Sequence, residues 1–463
     1  MRTLRLLASC VCLVAAPMAS AANVVVKKNG QFPTIQAGIN AAGANGTVTV
    51  KPGVYEETPT ISGALAGLVL KASGKVIIDA RLATGGADGP AIVCNADDVT
   101  IRGFTIRHAK TAMAQAGHGI VINAPGARLE KLSIFNCSDS GIAIFANDVA
   151  VKNCLVVSCF NGVSATSANM LVIEKNTIRT TKSGGIACAN SDGVLVRKNV
   201  LENCGSSGIG VGGANCRIED NSITRNAFSA IHANGAHPIV RRNKIRTSFF
   251  STGILVVGSD AEVESNTIFD VDGAGIYCAA SPALVRKNRV VSTGPDKPGV
   301  YVENGTGIIL EANIVENAGS AGFEGVANDV IVRKNLVRRS GRQESTSAAY
   351  ILSGIGGEFE SNVAKDCFGD GFRIGTSAAA VTGNVATGNT VDGFDVDAPN
   401  CTLKGNTAKA NLGEGFDIGG AGCAFTNNTA KSNRIDVAAT VAPTTFQANQ
   451  YGSGGSSTMP EID

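Results

Sequence analysis

Three short segments late in the chain share an acid-Gly-Phe signature: Asp370-Gly-Phe-Arg373, Asp392-Gly-Phe-Asp395-Val-Asp397 and Glu414-Gly-Phe-Asp417. Each begins 22 residues after the one before it. If that interval is one structural repeat, Asp392, Asp395, Asp397, Glu414 and Asp417 share a small volume. Carboxylates stacked at roughly 5 Å repel one another unless they are solvated, protonated or bridged by a cation. Two chemistries follow. A Ca²⁺ ion would relieve the repulsion through oxygen ligands from these five residues. Alternatively, a carboxylic acid of raised pKa works beside an ionised partner, as in glycoside hydrolysis, with Asp395, Asp397 and Asp417 supplying acid and base and Arg373 neutralising an anion. The plain alternative is a solvated acidic flank in which Asp370, Asp392 and Glu414 cap turns.

These residues need a scaffold that lays stretches one period apart over each other. Asparagines follow short aliphatic strands at Asn153, Asn176, Asn199, Asn221, Asn243, Asn266, Asn288, Asn313, Asn335, Asn362, Asn384, Asn406 and Asn428, at intervals of 22 to 27 residues. Such regularity marks a repeat array. Within each period stand a strand such as Val194-Leu195-Val196, the Asn, a second short strand, a turn, and a Gly-aliphatic-x-aliphatic strand such as Gly208-Ile209-Gly210-Val211. One such coil cannot bury its apolar face alone, so parallel stacking at about 4.8 Å is required. Asn suits the left-handed turn, and its amide can bond to the Asn above and below.

Period-two alternation then points the x residue of each Gly-aliphatic-x-aliphatic strand outward. Read upward, that file is Ala143, Ser164, Ala187, Gly210, His232, Leu255, Tyr277, Tyr301, Glu324, Ile351, Arg373, Asp395 and Asp417, and a second outward file adds Asn234, Glu303 and Asp397. The lower half is bland. The upper half offers His232, Tyr277, Tyr301, Glu303 and Glu324 as substrate-binding candidates below the Arg373–Asp417 cluster. Insertions at Pro295-Asp296-Lys297-Pro298 and Gly341 to Ser347 would wall a groove beside this face.

The coil pattern from Val48 to Asn433 resembles the right-handed parallel β-helix of the pectate lyase-like superfamily. The segment Phe32 to Ala42, with Ile35, Ile39 and Ala42 at helical spacing, followed by Thr47-Val-Thr-Val-Lys-Pro-Gly-Val-Tyr55, is similar to that superfamily's N-terminal cap helix and first strand. The resemblance implies an all-β fold, a single solenoid of about 22 residues per coil with a short cap helix, and a polysaccharide along one sheet face. The expected division is a signal peptide at 1–21, a cap at 22–47, the β-helix at 48–440 and a flexible tail at 441–463. His118, in Gly117-His118-Gly119-Ile120, is similar to a short element of β-helix polygalacturonases, but the other signatures of lyases, methylesterases and polygalacturonases are missing. This architecture also hosts non-catalytic proteins.

Arg2 and Arg5, the apolar run Leu6 to Val14 and Ala19-Ser20-Ala21 form a secretory-signal pattern, so export to the periplasm or medium is expected. Without those two arginines, 38 basic residues face 38 acidic ones, which argues against a nucleic-acid binder. No later stretch reaches the roughly 20 apolar residues of a membrane helix. Of 13 Cys, the mature 11 cannot all pair; mostly reduced core thiols are expected, with Cys401–Cys423 the first candidate for a bridge. Two readings stay open: a monomeric polysaccharide lyase, hydrolase or epimerase acting on a uronic-acid chain, or a non-catalytic carbohydrate-binding or structural β-helix protein.

Overall fold

The computed structural model describes residues 21–463 except 83–88, 111–115, 249–251, 342–346, 442, 453–455 and 459–463. The expected signal segment up to residue 20, most of the second insertion and the end of the tail therefore lie outside the described residues.

Strands of two to eight residues recur three to a coil, and those inside the stack pair in parallel with their equivalents one coil earlier and one coil later. The result is a right-handed parallel β-helix of about 18 turns, with three long sheets running its length. In each coil the first-sheet strand precedes the Asn turn, the second-sheet strand follows it, and the third-sheet strand is the Gly-aliphatic-x-aliphatic segment. Inward residues of all three form one continuous core of Val, Ile and Leu at the lower coils. Above them the third sheet contributes a column of rings: Phe323, Tyr350, Phe372, Phe394 and Phe416 stack with centroids 4.6–5.2 Å apart. That spacing is the inter-strand distance itself, so the register of the sheet dictates the stack.

The helix Ile35–Ala42 closes the lower end, as its periodicity predicts. Thr34 caps it by accepting from the Ala37 N–H at 3.1 Å, and Ile35, Ile39 and Ala42 are fully buried over the first coil. At the other end pairing runs past residue 440. Thr445–Gln447 and Gln450–Tyr451 lie parallel to Ala424–Thr426 and Thr429–Lys431, so ordered strands stand within the stretch read as tail.

From Asn176 to Asn428 each column asparagine sends its Nδ2 to the Oδ1 of the Asn one coil later, at 2.9–3.3 Å, and to a backbone carbonyl one coil earlier. Asn153 is not among them. It occupies the exposed corner one residue earlier, at φ 55°, and Cys154 takes the column position. The column instead ends on Asn449. A second column, Asn389, Asn411 and Asn433, links the turns entering the third sheet. All 11 described cysteines are buried free thiols, Cys401 and Cys423 included. Among the described residues no helix is long and apolar enough to cross a membrane.

Candidate active site

The outward file of the third sheet is assembled rung by rung. Gly210 pairs with His232, His232 with Leu255, Leu255 with Tyr277, Tyr277 with Tyr301, Tyr301 with Glu324, Glu324 with Ile351, Ile351 with Arg373, Arg373 with Asp395, and Asp395 with Asp417. Every named candidate of that file lies on one face. From His232 to Asp417 the file climbs eight coils, roughly 38 Å at the usual strand spacing.

Its middle is a cleft of about 430 Å³ lined by Tyr277, Tyr301, Glu324, Thr252 and the Asp296-Lys297-Pro298 insertion. The two tyrosine rings lie 5.0 Å apart and tilted by 41°. The insertion is anchored, because Thr293 donates its hydroxyl to the Lys297 carbonyl and Pro295 bridges to Gly319 on the next coil. Glu303 belongs to the second outward file, just where the pairing register shifts between Val302 and Gly305. That bulge turns its carboxylate toward Tyr277, whose hydroxyl donates to it at 2.7 Å. Burial and the Glu303 charge push the Tyr277 hydroxyl up to about 12, so it stays a donor.

Two coils below Tyr277, His232 and Asn234 line a separate hollow of about 310 Å³ with Asn190, Gly210 and Gly212. A side chain at Gly210 would meet open space, so glycine leaves the floor flat beside the imidazole. Burial lowers the His232 pKa, which keeps the ring neutral.

The upper end is an ionic cluster. Arg373 donates through Nε to Asp395 at 3.1 Å and through Nη2 to Asp370 at 2.5 Å. Asp370 is almost wholly buried and also accepts the Asp392 N–H, while the Asp392 carboxylate accepts the Glu414 N–H at 2.5 Å. Asp370 therefore does more than cap a turn, since it fixes the guanidinium that faces Asp395. Burial, helped by the nearby Asp370 and Asp397 charges and opposed by Arg373, pushes Asp395 up to about 6. Burial and the hydrogen bond shared with Glu414 push Asp392 up to about 8, and burial also raises Asp370 and Asp417. Asp397, one residue past the end of the same strand, is exposed. The stacked carboxylates thus relieve their repulsion through Arg373, backbone N–H groups and bound protons. Among the described residues no group of three His, Cys, Asp or Glu side chains is placed to hold a metal ion.

A folded-state pKa raised above its unfolded value adds stability at low pH that disappears as pH climbs through the folded value. For Asp392 and Asp395 the window runs from about pH 4 to about pH 8. The wild-type melting temperature should fall across that window more steeply than that of Asp392→Asn, which removes the larger shift. Parallel slopes in a thermal-melt series would contradict the buried, proton-holding cluster.

Three titratable residues of the lower coils, Arg107, His108 and His118, are engaged structurally. Arg107 and His108 contact the buried Asp79 carboxylate at 2.8 and 3.2 Å, and His118 Nδ1 accepts the Ser140 N–H at 3.3 Å. These pairings hold turns together.

A family model described as right handed beta helix region matches residues 59–193, 161–296 and 293–451. The chain belongs to the right-handed β-helix family. Several solved structures of β-helix proteins superpose on it with low identity. A PL6 alginate lyase in complex with a trisaccharide aligns at 12% identity over 76% of this chain and 86% of its own, with a TM-score of 0.49. DFA-IIIase from Arthrobacter chlorophenolicus A6, without its lid, aligns at 13% identity over 63% and 94%, with a TM-score of 0.48. The A-module of a mannuronan C-5 epimerase from Azotobacter vinelandii gives 15% identity over 92% and 95%, with a TM-score of 0.31. A comparison with curated proteins finds no match. Within this β-helix, sequence reasoning placed the outward file and named Asp370 in the acid-Gly-Phe repeat, but gave it only the role of a turn cap.

Proposed function

We propose that this protein binds a polysaccharide along the third sheet and hydrolyses it at the Arg373–Asp395–Asp397 end. The observation that carries the reading is the walled cleft in which Tyr277 and Tyr301 present adjacent ring faces, because a sugar's apolar face stacks on such rings while its hydroxyls reach Glu303 and Glu324. Asp395 lies four rungs above Tyr301, roughly 19 Å, so one extended glycan of several sugars reaches both.

The chemistry follows from unequal environments. Asp395 is half-buried and holds its proton up to about pH 6, whereas Asp397 is open to water. Such a pair divides into general acid and general base. A water held between Asp395 and Asp397 would attack with inversion, as in glycosidases whose two carboxyl groups stand about 6.5–9.5 Å apart. Asp417 lies beside Asp395 on the next coil, and the proton on Asp395 is kept by burial and by the Asp370 and Asp397 charges.

An acidic polysaccharide is the sequence expectation, yet this face presents Glu303, Glu324, Asp395, Asp397 and Asp417 against Arg373 and Lys297 of the cleft wall. A chain with a charge on every sugar is repelled, so a neutral or sparsely charged glycan is the substrate proposed. A lyase is disfavoured because Arg373 is already shared between Asp370 and Asp395 and is not open to a developing enolate.

The test is a screen of neutral and uronic-acid glycans for new reducing ends and for unsaturated products, with NMR assignment of the first anomer released. Reducing ends of inverted configuration support the proposal, while ultraviolet-absorbing products from polyuronates would replace it with a lyase. Tyr277→Ala should weaken binding of a cleaved oligosaccharide roughly tenfold, the loss of about one stacking contact. Titration calorimetry reads it, and an unchanged affinity would remove the cleft from the binding path.

A further inference from the structure

The outward file of the first sheet alternates in charge without a break across eight coils. Glu174 pairs with Arg197, Arg197 with Glu219, Glu219 with Arg241, and the pattern continues through Glu264, Arg286 and Glu311 to Arg333. The two signs are not equally visible to solvent. Each arginine reaches back over the glutamate of the coil before it, at 3.0–3.1 Å. Consequently Arg197 is 38% exposed and Glu174 8%, and Arg241 is 28% exposed and Glu219 6%. The carboxylates act as inner counter-ions that pin the guanidinium groups.

The residue after each arginine is a second cation, giving Arg197-Lys198, Arg241-Arg242, Arg286-Lys287 and Arg333-Lys334. These second residues sit at the left-handed corner before the Asn turn, at φ 54–56°, which throws their side chains outward. Lys287, for example, is 59% exposed. Counting the file and its corner from Glu174 to Lys334 gives nine cations and five carboxylates. The edge between the first and second sheets therefore carries cationic doublets on alternate coils, about 9.6 Å apart along the axis.

We propose that this edge is a second carbohydrate-binding surface, separate from the third-sheet cleft, for an anionic glycan that lies along the helix axis and carries one acidic group per two-sugar repeat. The spacing selects for sparse charge. Between doublets the polymer passes Glu219, Glu264 or Glu311, so a chain with charge at every unit meets repulsion on alternate coils. Nucleic acid is disfavoured on the same ground, because duplex phosphates present a charge every 1.7 Å or so. Single strands also seek aromatic stacking platforms, and the outward first-sheet positions from Lys152 to Glu360 hold no aromatic residue. The acidic polymer that the family resemblance implies thus fits this edge better than the carboxylate-rich cleft.

The experiment titrates the mature chain with a hyaluronan oligosaccharide, which has one carboxylate per disaccharide, at several salt concentrations. Binding whose log affinity falls linearly with log salt is expected. The variant Lys198→Gln/Lys287→Gln/Lys334→Gln, which changes only exposed corner residues, should lose roughly tenfold in affinity and flatten that slope. Tyr277→Ala should bind hyaluronan as the wild type does, and this separates the surface from the third-sheet reading. The proposal is overturned by no binding at low salt, by full affinity in the triple variant, by loss of binding in Tyr277→Ala, or by equal affinity for a single-stranded DNA of matched length.

Discussion

Replacing Asp395 with Asn is expected to cut glycan cleavage by roughly 10²- to 10⁴-fold, the usual weight of a positioned general acid, while binding at the tyrosine cleft persists. The substitution keeps the shape and the bond from Arg373 Nε, so the ring column and the third-sheet register stay as they are. What it removes is a dissociable proton held by burial and by the neighbouring Asp370 and Asp397 charges up to about pH 6. The sign of the pH dependence follows. The acid form exists below that value, so kcat should fall as pH rises through about 6, and the falling limb should disappear from whatever activity Asp395→Asn retains. Asp370→Asn separates positioning from chemistry. It frees Arg373 from one of its two carboxylates and should move the limb while sparing most of the rate. If Asp395→Asn cleaves glycan at the wild-type rate, the proton comes from elsewhere and the upper cluster is a structural knot.

The face that carries these residues was legible because two periods reinforce each other. The 22-residue interval fixes which residues stack, and the alternation along each strand fixes which of them look out. A one-residue slip would have turned the whole file inward, and the glycine before each strand prevented that error. Gly371 and Gly393, for instance, have no room for a Cβ against the carbonyl one coil on, so the third-sheet strand has one place to begin. Where a residue type serves two neighbouring positions the reading slipped. Asn153 suits a left-handed corner as well as the column, and only the packing of Cys154 beneath Asn176 tells them apart. Charge was the hardest to place. Asp370 and Asp392 read as turn residues, yet each carboxylate is buried and accepts a backbone N–H of the coil above, 22 residues on in sequence. The alternating first-sheet charges from Glu174 to Arg333 stand two residues before the column asparagines and share their period, so they do not separate from the turn signal in the sequence. The disulfide candidate failed for a related reason. Repeat-equivalent cysteines stack whether or not they bond, and Cys401 and Cys423 fill the core as thiols donating to backbone carbonyls.

The column of asparagines supplies the second large effect. Asn243 is 1% exposed and makes four strong bonds. Its Nδ2 donates to the Ile218 carbonyl at 2.8 Å and to Asn266 Oδ1 at 3.0 Å, while its Oδ1 accepts the Asn221 N–H and Nδ2, both at 3.0 Å. Alanine at 243 strands a backbone carbonyl and a backbone N–H in a buried site, along with half of two amides. At about 1–3 kcal/mol for each buried group left unsatisfied, the loss should reach about 4 kcal/mol, a large share of a typical folding free energy. Because a solenoid coil touches only its neighbours, the damage should be local. Amide exchange should quicken from about Ile218 to Asn266, and the coils around the ring column should keep their protection. Asn153→Gly, at an exposed corner whose positive φ glycine accepts, should change stability by no more than about 0.5 kcal/mol. Equal losses in the two variants, read by urea unfolding, would mean that the column contributes turn conformation alone and that its amide bonds carry no net weight.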